Sequence, residues 1–312
     1  MAEKELRIKG KIVKGLGGFY YVRPYTFDKD LSGFSDTDDT EYECRARGLF
    51  RKDGVKPLVG DDCVVEVISS EARTGYVTEL ITRKNRLLRP EVANVDQALI
   101  IMALSRPEPN FNLLDRLLVS IELNDVTPVI VFNKADTVSA EDADYSVGAY
   151  SGSGYEVICA AFHEGIGVDR IKELIKGKTT ALCGPSGVGK STLFNILSPV
   201  KKSETGDVSE KIKRGRHTTR QSELICVGED TFLLDTPGFS SIMIESGIEA
   251  EDLRFYYPEF LGCEGRCRFN RCTHTSEPDC CREGLIAEGK LSKLRYENYK
   301  ALFSELKNRR KW

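Results

Sequence analysis

A phosphate-binding motif stands near the middle of the chain. The segment 184–191 reads G-P-S-G-V-G-K-S and fits the pattern G-x-x-x-x-G-K-[ST] throughout. Its glycines let consecutive backbone N–H groups point at phosphates, and the N-terminus of the following helix reinforces this. Lys190 is expected to contact the β- and γ-phosphates and Ser191 to bind Mg²⁺. The predicted contacts are Gly184, Pro185, Ser186, Gly187, Val188, Gly189, Lys190, Ser191 and Thr192.

Downstream of this loop, an aspartate follows an apolar strand in the sequence F-L-L-D-T-P-G. A carboxylate at a strand end can hold Mg²⁺ through water, and this predicts that role for Asp235. The Gly238 N–H is then available to contact the γ-phosphate. By itself D-x-x-G is a common turn, but its position after a phosphate loop indicates a nucleotide-binding role.

The tetrapeptide Asn133-Lys134-Ala135-Asp136 follows another apolar strand. An aspartate carboxylate can accept hydrogen bonds from guanine N1–H and N2–H₂, which adenine does not offer. A site built on such bonds rejects the wrong base because the buried carboxylate would lose its partners. The alternative is a turn that closes a strand, but the two other motifs favour a guanine-binding segment.

The order of these motifs is unusual. In an ordinary small GTPase the N-K-x-D segment follows the phosphate loop, whereas here it precedes the loop. The region 158–161, where a base-clamping turn is expected, also precedes it, and this predicts base contacts from Cys159 and Ala160. The order predicts a circularly permuted GTPase, in which D-T-P-G lies beside the C-terminal exit of the domain. Permutation leaves a ligand site intact because chain termini often lie close together.

A cysteine-rich segment follows. The pattern C-x₄-C-x-H-x₅-C supplies Cys267, Cys272, His274 and Cys280. Three thiols and one imidazole suit a closed tetrahedral Zn²⁺ site with a structural role, one ion per chain. Cys263 and Cys281 are spare candidates, and Cys280 and Cys281 could exchange roles. Unbound buried thiols are the alternative, but in a reducing compartment such clustering favours metal over disulfides.

The elements that position these motifs fall into three regions. Short strands at 7–13, 19–23, 42–47, 62–68 and 75–81 predict a five-stranded barrel of the OB type. Apolar strands at 98–104, 128–132, 156–160, 179–183 and 231–234 alternate with helical patterns such as 113–123 and 191–197, which predicts a mostly parallel sheet. The chain ends in a helix whose apolar face carries Tyr299, Leu302, Phe303 and Leu306.

Composition excludes several classes of protein. The 312 residues are 40% hydrophobic and 30% charged with a formal net charge of −3, which argues against a disordered, collagen-like or membrane protein. The N-terminus has no apolar core typical of a signal peptide, so a cytoplasmic location is expected. The other five cysteines (Cys44, Cys63, Cys159, Cys183 and Cys226) are interpreted as small core residues. Eight Lys and Arg in residues 290–312 suggest a phosphate-binding patch or a solvated amphipathic helix.

The barrel, the motif order and the C-x₄-C-x-H-x₅-C element together resemble the ribosome small-subunit-dependent GTPase A family over nearly the whole chain. The resemblance implies GTP hydrolysis stimulated by the small ribosomal subunit late in its assembly, with the barrel and the zinc domain contacting ribosomal RNA. It also implies that Thr219 or Thr218 contacts the γ-phosphate and Mg²⁺. Cys-Ala-Ala stands at 159–161 where the family usually has Ser-Ala.

Phe239 occupies the position after Gly238, where many GTPases use glutamine to orient water. A phenyl ring cannot do this, so catalysis needs another group. His217, in the Arg-rich segment 214–220 where switch I is expected, is the candidate because a neutral imidazole can position water or accept its proton. The alternative is an exposed or RNA-contacting histidine.

The sequence therefore predicts three domains: an OB-type barrel (1–84), a circularly permuted α/β P-loop GTPase domain (85–245), and a zinc-binding domain with a helix (246–312). The expected ligands are GTP or GDP with Mg²⁺ and one Zn²⁺. The expected partner is the small ribosomal subunit and its rRNA, with no membrane contact and a monomeric chain. The alternative function is an rRNA-binding chaperone that uses GTP only as an affinity switch.

Overall fold

The computed structural model describes residues 6–25, 41–48, 50, 54–88, 90–198, 222–235, 248–263 and 265–309. These residues divide into two compact units. One lies within residues 1–96, 174–181 and 194–239, and the other within 97–173, 182–193 and 240–312. Among the helices of these segments, none is both long enough and apolar enough to span a bilayer.

The first unit contains a closed five-stranded barrel. Neighbouring strands pair in the order β1-β2-β3-β5-β4, and β1 also pairs with β4, which closes the cylinder. Residues that alternate along the strands fill the interior, among them Ile8, Ile12 and Val65, each 0% exposed. The barrel predicted from the sequence is confirmed. Its strands are β1 (Arg7–Leu16), β2 (Phe19–Pro24), β3 (Tyr42–Ala46), β4 (Asp62–Ser69) and β5 (Thr74–Leu80).

A hairpin and three further strands complete this unit. The hairpin of β6 (Arg86–Leu88) and β7 (Glu91–Ala93) was not predicted, because three-residue strands carry almost no alternation. Strand β11 (Thr179–Cys183) pairs in parallel with β13 (Thr231–Asp235), and β13 pairs with the antiparallel strand β12 (Glu223–Gly228). Strand β12 was not predicted either.

The second unit is built around three parallel strands, β8 (Gln97–Ala103), β9 (Thr127–Asn133) and β10 (Glu156–Cys159). Every residue of β8 is buried, and its sequence after Gln97 is entirely apolar, as expected for a strand covered on both faces. The Asn110 side chain accepts a hydrogen bond from the Leu113 N–H and caps the helix that packs on this sheet. The helices that lie in this unit or begin in it are α1 (Phe111–Glu122), α2 (Ala140–Ser151), α3 (Val168–Ile175) and α4 (Lys190–Leu197).

The C-terminal part of this unit is helical. A 3₁₀ segment (Ala250–Tyr256) precedes α5 (Pro258–Leu261), α6 (Arg282–Ala287) and α7 (Lys293–Asn308). The apolar face predicted for the last helix is buried, and it packs with Leu253, Tyr257 and Phe260. In the basic tail, however, Arg295 is only 1% exposed and forms ion pairs with Asp115 and Glu259. This cation therefore belongs to the interior rather than to a phosphate-binding surface.

Two cysteines differ from their interpretation as core residues. Cys159 is exposed because β10 ends there, and its side chain points opposite to that of the buried Ile158. Cys226 is half-buried, and it lies where the register of β12 against β13 shifts. Cys44, Cys63 and Cys183 are buried as expected.

Candidate nucleotide site and candidate metal centre

The phosphate-binding motif forms a tight loop between β11 and α4. Gly184 has φ +126° and Gly189 has φ +107°, values that residues with a Cβ rarely adopt. A Cβ on Gly184 would overlap the Ile101 carbonyl, and one on Gly189 would overlap the Asn133 amide. Both positions therefore require glycine for conformation and for space.

Lys190 is the first residue of α4, and its ammonium group lies within the loop. Its Nζ donates hydrogen bonds to the carbonyls of Gly184 (2.8 Å) and Pro185 (2.6 Å), and burial lowers its pKa. The Ser186 and Ser191 side chains are exposed, whereas Val188 is fully buried and anchors the loop. The loop thus combines anchored glycine turns with an internal cation, which suits it to bind phosphate groups.

Asn133 joins this loop to the predicted base-binding segment. Its side chain is buried, its Nδ2 donates to the Val188 carbonyl at 2.8 Å, and its Oδ1 accepts from the Phe162 N–H at 3.1 Å. One amide therefore uses a donor and an acceptor to hold two loops at fixed positions. The sequence indicated Asn133 through its motif, but nothing in the sequence indicated this bridging contact.

The predicted base-binding residues also come together. The Ala135 N–H donates to the Ala160 carbonyl at 3.0 Å, which places the N-K-A-D turn against residues 159–161. Lys134 has φ +67° and directs its Nζ to the Arg106 carbonyl. The Asp136 side chain lies exposed in the 3₁₀ turn Ala135–Thr137. The arrangement offers a carboxylate and a thiol, Asp136 and Cys159, near one edge of the sheet.

Several predicted site residues cannot be placed. His217, Thr218, Thr219 and Gly238 lie outside the described residues. Asp235 is the last residue of β13, and its side chain is likewise outside the description. Their predicted roles stay predictions.

Three of the four predicted metal ligands form a compact cluster with Cys281 in the second unit. Ligand atoms of Cys267, His274, Cys280 and Cys281 all lie within 4.8 Å of one another. The Sγ atom of Cys272 lies 3.5 Å from that of Cys280, so the fifth sulfur adjoins the same centre. A metal held here finds thiolates and an imidazole at short range, and this donor set fits Zn²⁺.

The structure corrects one expectation about this cluster. Cys263 and Cys281, the two spare candidates, are joined by a disulfide bond, whereas clustering in a reducing compartment favoured thiols free to bind metal. The bond forms because the end of α5 and the start of α6 bring their Cα atoms to 6.1 Å, within the usual range for a disulfide. Cys267, Cys272 and Cys280 remain free thiols.

The turn that carries His274 is organised by Glu277. Its carboxylate accepts hydrogen bonds from the Thr273 N–H and hydroxyl (both 2.6 Å), the Thr275 N–H (2.9 Å) and the Ser276 N–H (3.0 Å). Burial alone would raise the pKa of Glu277, but these donors outweigh it and lower the pKa to about 2. The carboxylate therefore stays charged and holds the turn. The sequence predicted a turn here without this capping role.

His274 is held as a neutral ring. Burial, with a smaller contribution from the Arg254 guanidinium, lowers its pKa to about 4. Its ring stacks on Phe260 with centroids 4.3 Å apart, and its backbone adopts φ +57°. A neutral imidazole is the form that binds a metal.

Comparisons with known proteins agree with this geometry. The family model for the RsgA GTPase domain matches residues 80–245, and that for the RsgA N-terminal domain matches residues 9–77. A protein of Agathobacter rectalis named small ribosomal subunit biogenesis GTPase RsgA is 47% identical, covering 97% of this chain and 99% of its own length. A protein of the same name from Caldanaerobacter subterraneus subsp. tengcongensis is 41% identical and covers 98% of each chain.

Two solved structures share the fold. YjeQ from Thermotoga maritima superposes with a TM-score of 0.79 at 32% identity, covering 98% of this chain and all of that chain. YloQ, described as a circularly permuted GTPase, gives 0.76 at 33% identity, covering 98% and 97%. The permuted motif order and the closed barrel are thus features that this chain shares with known structures. The chain belongs to the RsgA GTPase family.

Proposed function

We propose that this GTPase acts in the biogenesis of the small ribosomal subunit, hydrolysing GTP to GDP and phosphate when that subunit stimulates it. The observation that carries the proposal is 47% identity to a protein of that name over 97% of the chain. Similarity of this extent includes the barrel and the Cys/His cluster as well as the nucleotide domain. A role that needed GTP hydrolysis alone would not require these flanking regions to match.

We assign nucleotide binding to the loop and turn described above. Backbone N–H groups of residues 184–189 and the Lys190 ammonium bind the phosphates, and the Ser191 hydroxyl binds Mg²⁺. Asp136 accepts hydrogen bonds from guanine, with Cys159 and Ala160 beside the base. The bridge from Asn133 to Val188 supports this assignment because it fixes the two halves of the site relative to each other.

The switch and catalytic roles follow from the sequence motifs. Asp235, Gly238 and either Thr218 or Thr219 are assigned to Mg²⁺ and the γ-phosphate. His217 is assigned to positioning or deprotonating the attacking water, because Phe239 cannot do so.

The Cys/His cluster is proposed to bind one structural Zn²⁺ through Cys267, Cys272, His274 and Cys280. With Cys281 bonded to Cys263, these four side chains supply a complete tetrahedral set. We further propose the domain boundaries 1–84, 85–245 and 246–312, a cytoplasmic location and a monomeric chain. Metal analysis of the purified protein is expected to find about one zinc per chain.

The proposed partner is the small subunit with its rRNA, contacted through the barrel and the metal-binding region. Exposed cations next to aromatic rings support an RNA partner: the Arg45 guanidinium lies 4.7 Å from the Phe19 ring and that of Arg268 lies 5.8 Å from Phe269. Such pairs combine phosphate attraction with stacking surfaces for unpaired bases. The alternative, an rRNA chaperone with incidental hydrolysis, shares these contacts and differs in the response of turnover to the subunit.

Guanine recognition is tested with Asp136→Asn. The amide donates where the carboxylate accepted, so the variant is expected to lose GTP and gain xanthosine triphosphate. Glu141→Gln is the matched control, because Glu141 is an exposed acid in the first turn of α2. Unchanged GTP affinity in Asp136→Asn would contradict the assignment.

The partner is tested by co-sedimentation with separated ribosomal subunits under GTP, GDP and a non-hydrolysable analogue, with hydrolysis measured in parallel. Small subunits alone are expected to bind, more tightly with the analogue than with GDP, and to accelerate hydrolysis. A preference of about tenfold needs only ~1.4 kcal/mol of coupling. Binding is expected to weaken with salt as phosphate contacts release counterions. Binding without acceleration would favour the chaperone. The absence of both binding and acceleration would refute the proposed partner.

A further inference from the structure

Two buried cysteines lie beside the proposed metal centre without being needed by it. Cys263 and Cys281 are 3% and 8% exposed, and a disulfide bond joins them across 18 positions of the sequence. The bond connects the residues after α5 to the residue that precedes α6, and the cluster of metal-ligand atoms lies between these two helices in sequence. The pair therefore closes a loop around the Cys/His turn.

The cluster contains more ligands than a tetrahedral metal can use. The Cys281 Sγ lies 3.9 Å from the His274 Nδ1, and the Cys280 Sγ lies 3.2 Å from the same nitrogen. The Cys281 backbone N–H also points to the Cys267 Sγ at 3.4 Å. Because Cys272 adjoins Cys280, a four-coordinate ion has two candidates, Cys272 and Cys281, for one position. Bonding Cys281 to Cys263 removes that competition.

A groove of about 140 Å³ reaches one sulfur of the pair. Cys263 lines this groove together with the proposed metal ligands Cys267, Cys272 and His274. A water molecule occupies about 30 Å³ in the liquid, so the groove has room for a small oxidant. Cys281 does not line the groove. Both sulfurs of the pair are buried, and Cys263 is the one that an oxidant in the groove would meet.

We propose that Cys263 and Cys281 form a reversible thiol–disulfide modification site that a hydroperoxide oxidises and a dithiol reduces. This site lies apart from GTP hydrolysis, and only its effect on the metal rests on the proposed function. Disulfides in cytosolic proteins, where they occur, are usually transient and redox-sensing rather than permanent.

The oxidation balances with hydrogen peroxide as the oxidant. The Cys263 thiolate attacks one peroxide oxygen, the O–O bond breaks, a sulfenic acid forms and the hydroxide leaves as water after taking up the thiol proton. The Cys281 sulfur then attacks the Cys263 sulfur, the S–O bond breaks and a second water leaves with the Cys281 proton. Two thiols and one peroxide thus yield one disulfide and two waters. A dithiol reverses the bond through a mixed disulfide and is itself oxidised.

The structural consequence is protection of the metal ligands. When oxidation is directed to Cys263 and Cys281, the free thiols of Cys267, Cys272 and Cys280 remain available to hold the ion. Without Cys263, the oxidised Cys281 would have only metal ligands within reach. Oxidation would then link Cys281 to a ligand and release the ion.

The test uses the full-length, reduced, zinc-treated protein exposed to increasing hydrogen peroxide. Free thiols are alkylated, linked peptides are mapped by mass spectrometry, and released zinc is measured with a metallochromic dye. We expect a linked Cys263–Cys281 peptide, lighter by two hydrogens, to appear before zinc is released and to disappear on treatment with a dithiol. Cys226→Ser, which alters a half-buried thiol outside the cluster, should behave as the wild type.

Cys263→Ser is expected to lose the linked peptide and to release zinc at lower peroxide. The order of disulfide formation and zinc release in the wild-type protein tests the proposal by itself, so the test remains decisive even if Cys263→Ser misfolds. Peptides linking Cys281 to Cys267 or Cys272 in the wild type would overturn the proposal, as would zinc release before the Cys263–Cys281 bond forms. A protein that binds no zinc but forms the reversible bond would refute the metal assignment and support the thiol site.

Discussion

Replacing Arg295 with methionine tests how the C-terminal helix is held. The Arg295 guanidinium pairs with Asp115 on α1 and Glu259 on α5, and all three side chains are 1% exposed. It also lies 4.3 Å from the centroid of the Tyr257 ring, a cation–π contact. Methionine retains much of the apolar stem and removes the charge, so the variant isolates the ionic contribution.

The magnitude follows from what the substitution leaves behind. Removing one partner of a buried ion pair costs about 3–5 kcal/mol because the remaining charge is buried without compensation. Here two carboxylates are left, and the Asn298 amide, which donates to Asp115 at 2.6 Å, compensates only part of this. The total stability of a protein is only about 5–15 kcal/mol, so the loss should be large enough to open the C-terminal region.

The cost should depend on pH. Burial already raises the pKa of Asp115 to about 6, although the charge of Arg295 opposes this shift. Without Arg295 the pKa rises further, and the carboxyl escapes the penalty by binding a proton. A carboxyl whose pKa is higher in the folded state than in the unfolded state lowers the free energy of unfolding as pH rises through the interval between these two pKa values. The variant should therefore be least stable above its folded-state pKa, which exceeds about 6, and should recover as pH falls towards about 4.

Hydrogen exchange over residues 293–308 is the suitable assay, since a chain with several domains has no single unfolding free energy. A loss of ~3 kcal/mol corresponds to an approximately hundredfold drop in protection where exchange reports local opening. Arg116→Met is the matched control, because its pair with Glu305 on the same helix is 24% and 41% exposed and should contribute about 0–1 kcal/mol. Equal losses in both variants, or a loss independent of pH, would refute the reasoning.

Three further predictions concern the candidate sites. Asn133→Ala removes the bonds to Val188 and Phe162, so the affinity for a fluorescent GDP should fall by roughly 10–100-fold, and unchanged affinity would contradict the bridging role. Glu277→Gln should release zinc faster than the exposed control Glu283→Gln. Because the pKa of Glu277 is lowered to about 2, its contribution to stability persists above pH ~4.5 and is lost only as pH falls towards 2. An acid titration followed by circular dichroism should show this loss. His217→Ala should lower stimulated turnover by ~10²–10⁴-fold with little change in nucleotide affinity, and undiminished turnover would return His217 to a non-catalytic role.

Much of the fold could be predicted from short-range patterns. Alternation in the barrel strands and the unbroken apolar run of β8 reflect burial on one or both faces of a sheet. The motifs around Lys190 and Asp136 were recognisable because glycine, lysine and carboxylate chemistry fixes their spacing. Strand ends differed from the prediction by at most three residues, as expected where pairing rather than composition ends a strand.

Contacts between distant positions could not be predicted. Arg295 and Asp115 are 180 positions apart, and Asn133 and Val188 are 55 apart, so no local pattern relates them. A basic tail looked suited to phosphate because a sequence does not show that one of its arginines turns inward. The disulfide likewise depends on how α5 and α6 approach each other. The positions of the cysteines in the sequence do not show the distance between the Cα atoms of Cys263 and Cys281.

The Asn133 bridge has a consequence for how the protein is made. Because the chain is permuted, the N-K-A-D turn leaves the synthesis machinery before the phosphate loop, with Val188 following Asn133 by 55 residues. At about 5–20 residues per second, this interval lasts roughly 3–11 s. During this time the Asn133 amide first lacks both partners, then gains the Phe162 N–H after 29 residues and the Val188 carbonyl only at the end of the interval. The nucleotide site is therefore completed late in translation, and we expect GTP to be bound only after the second half of the domain has emerged.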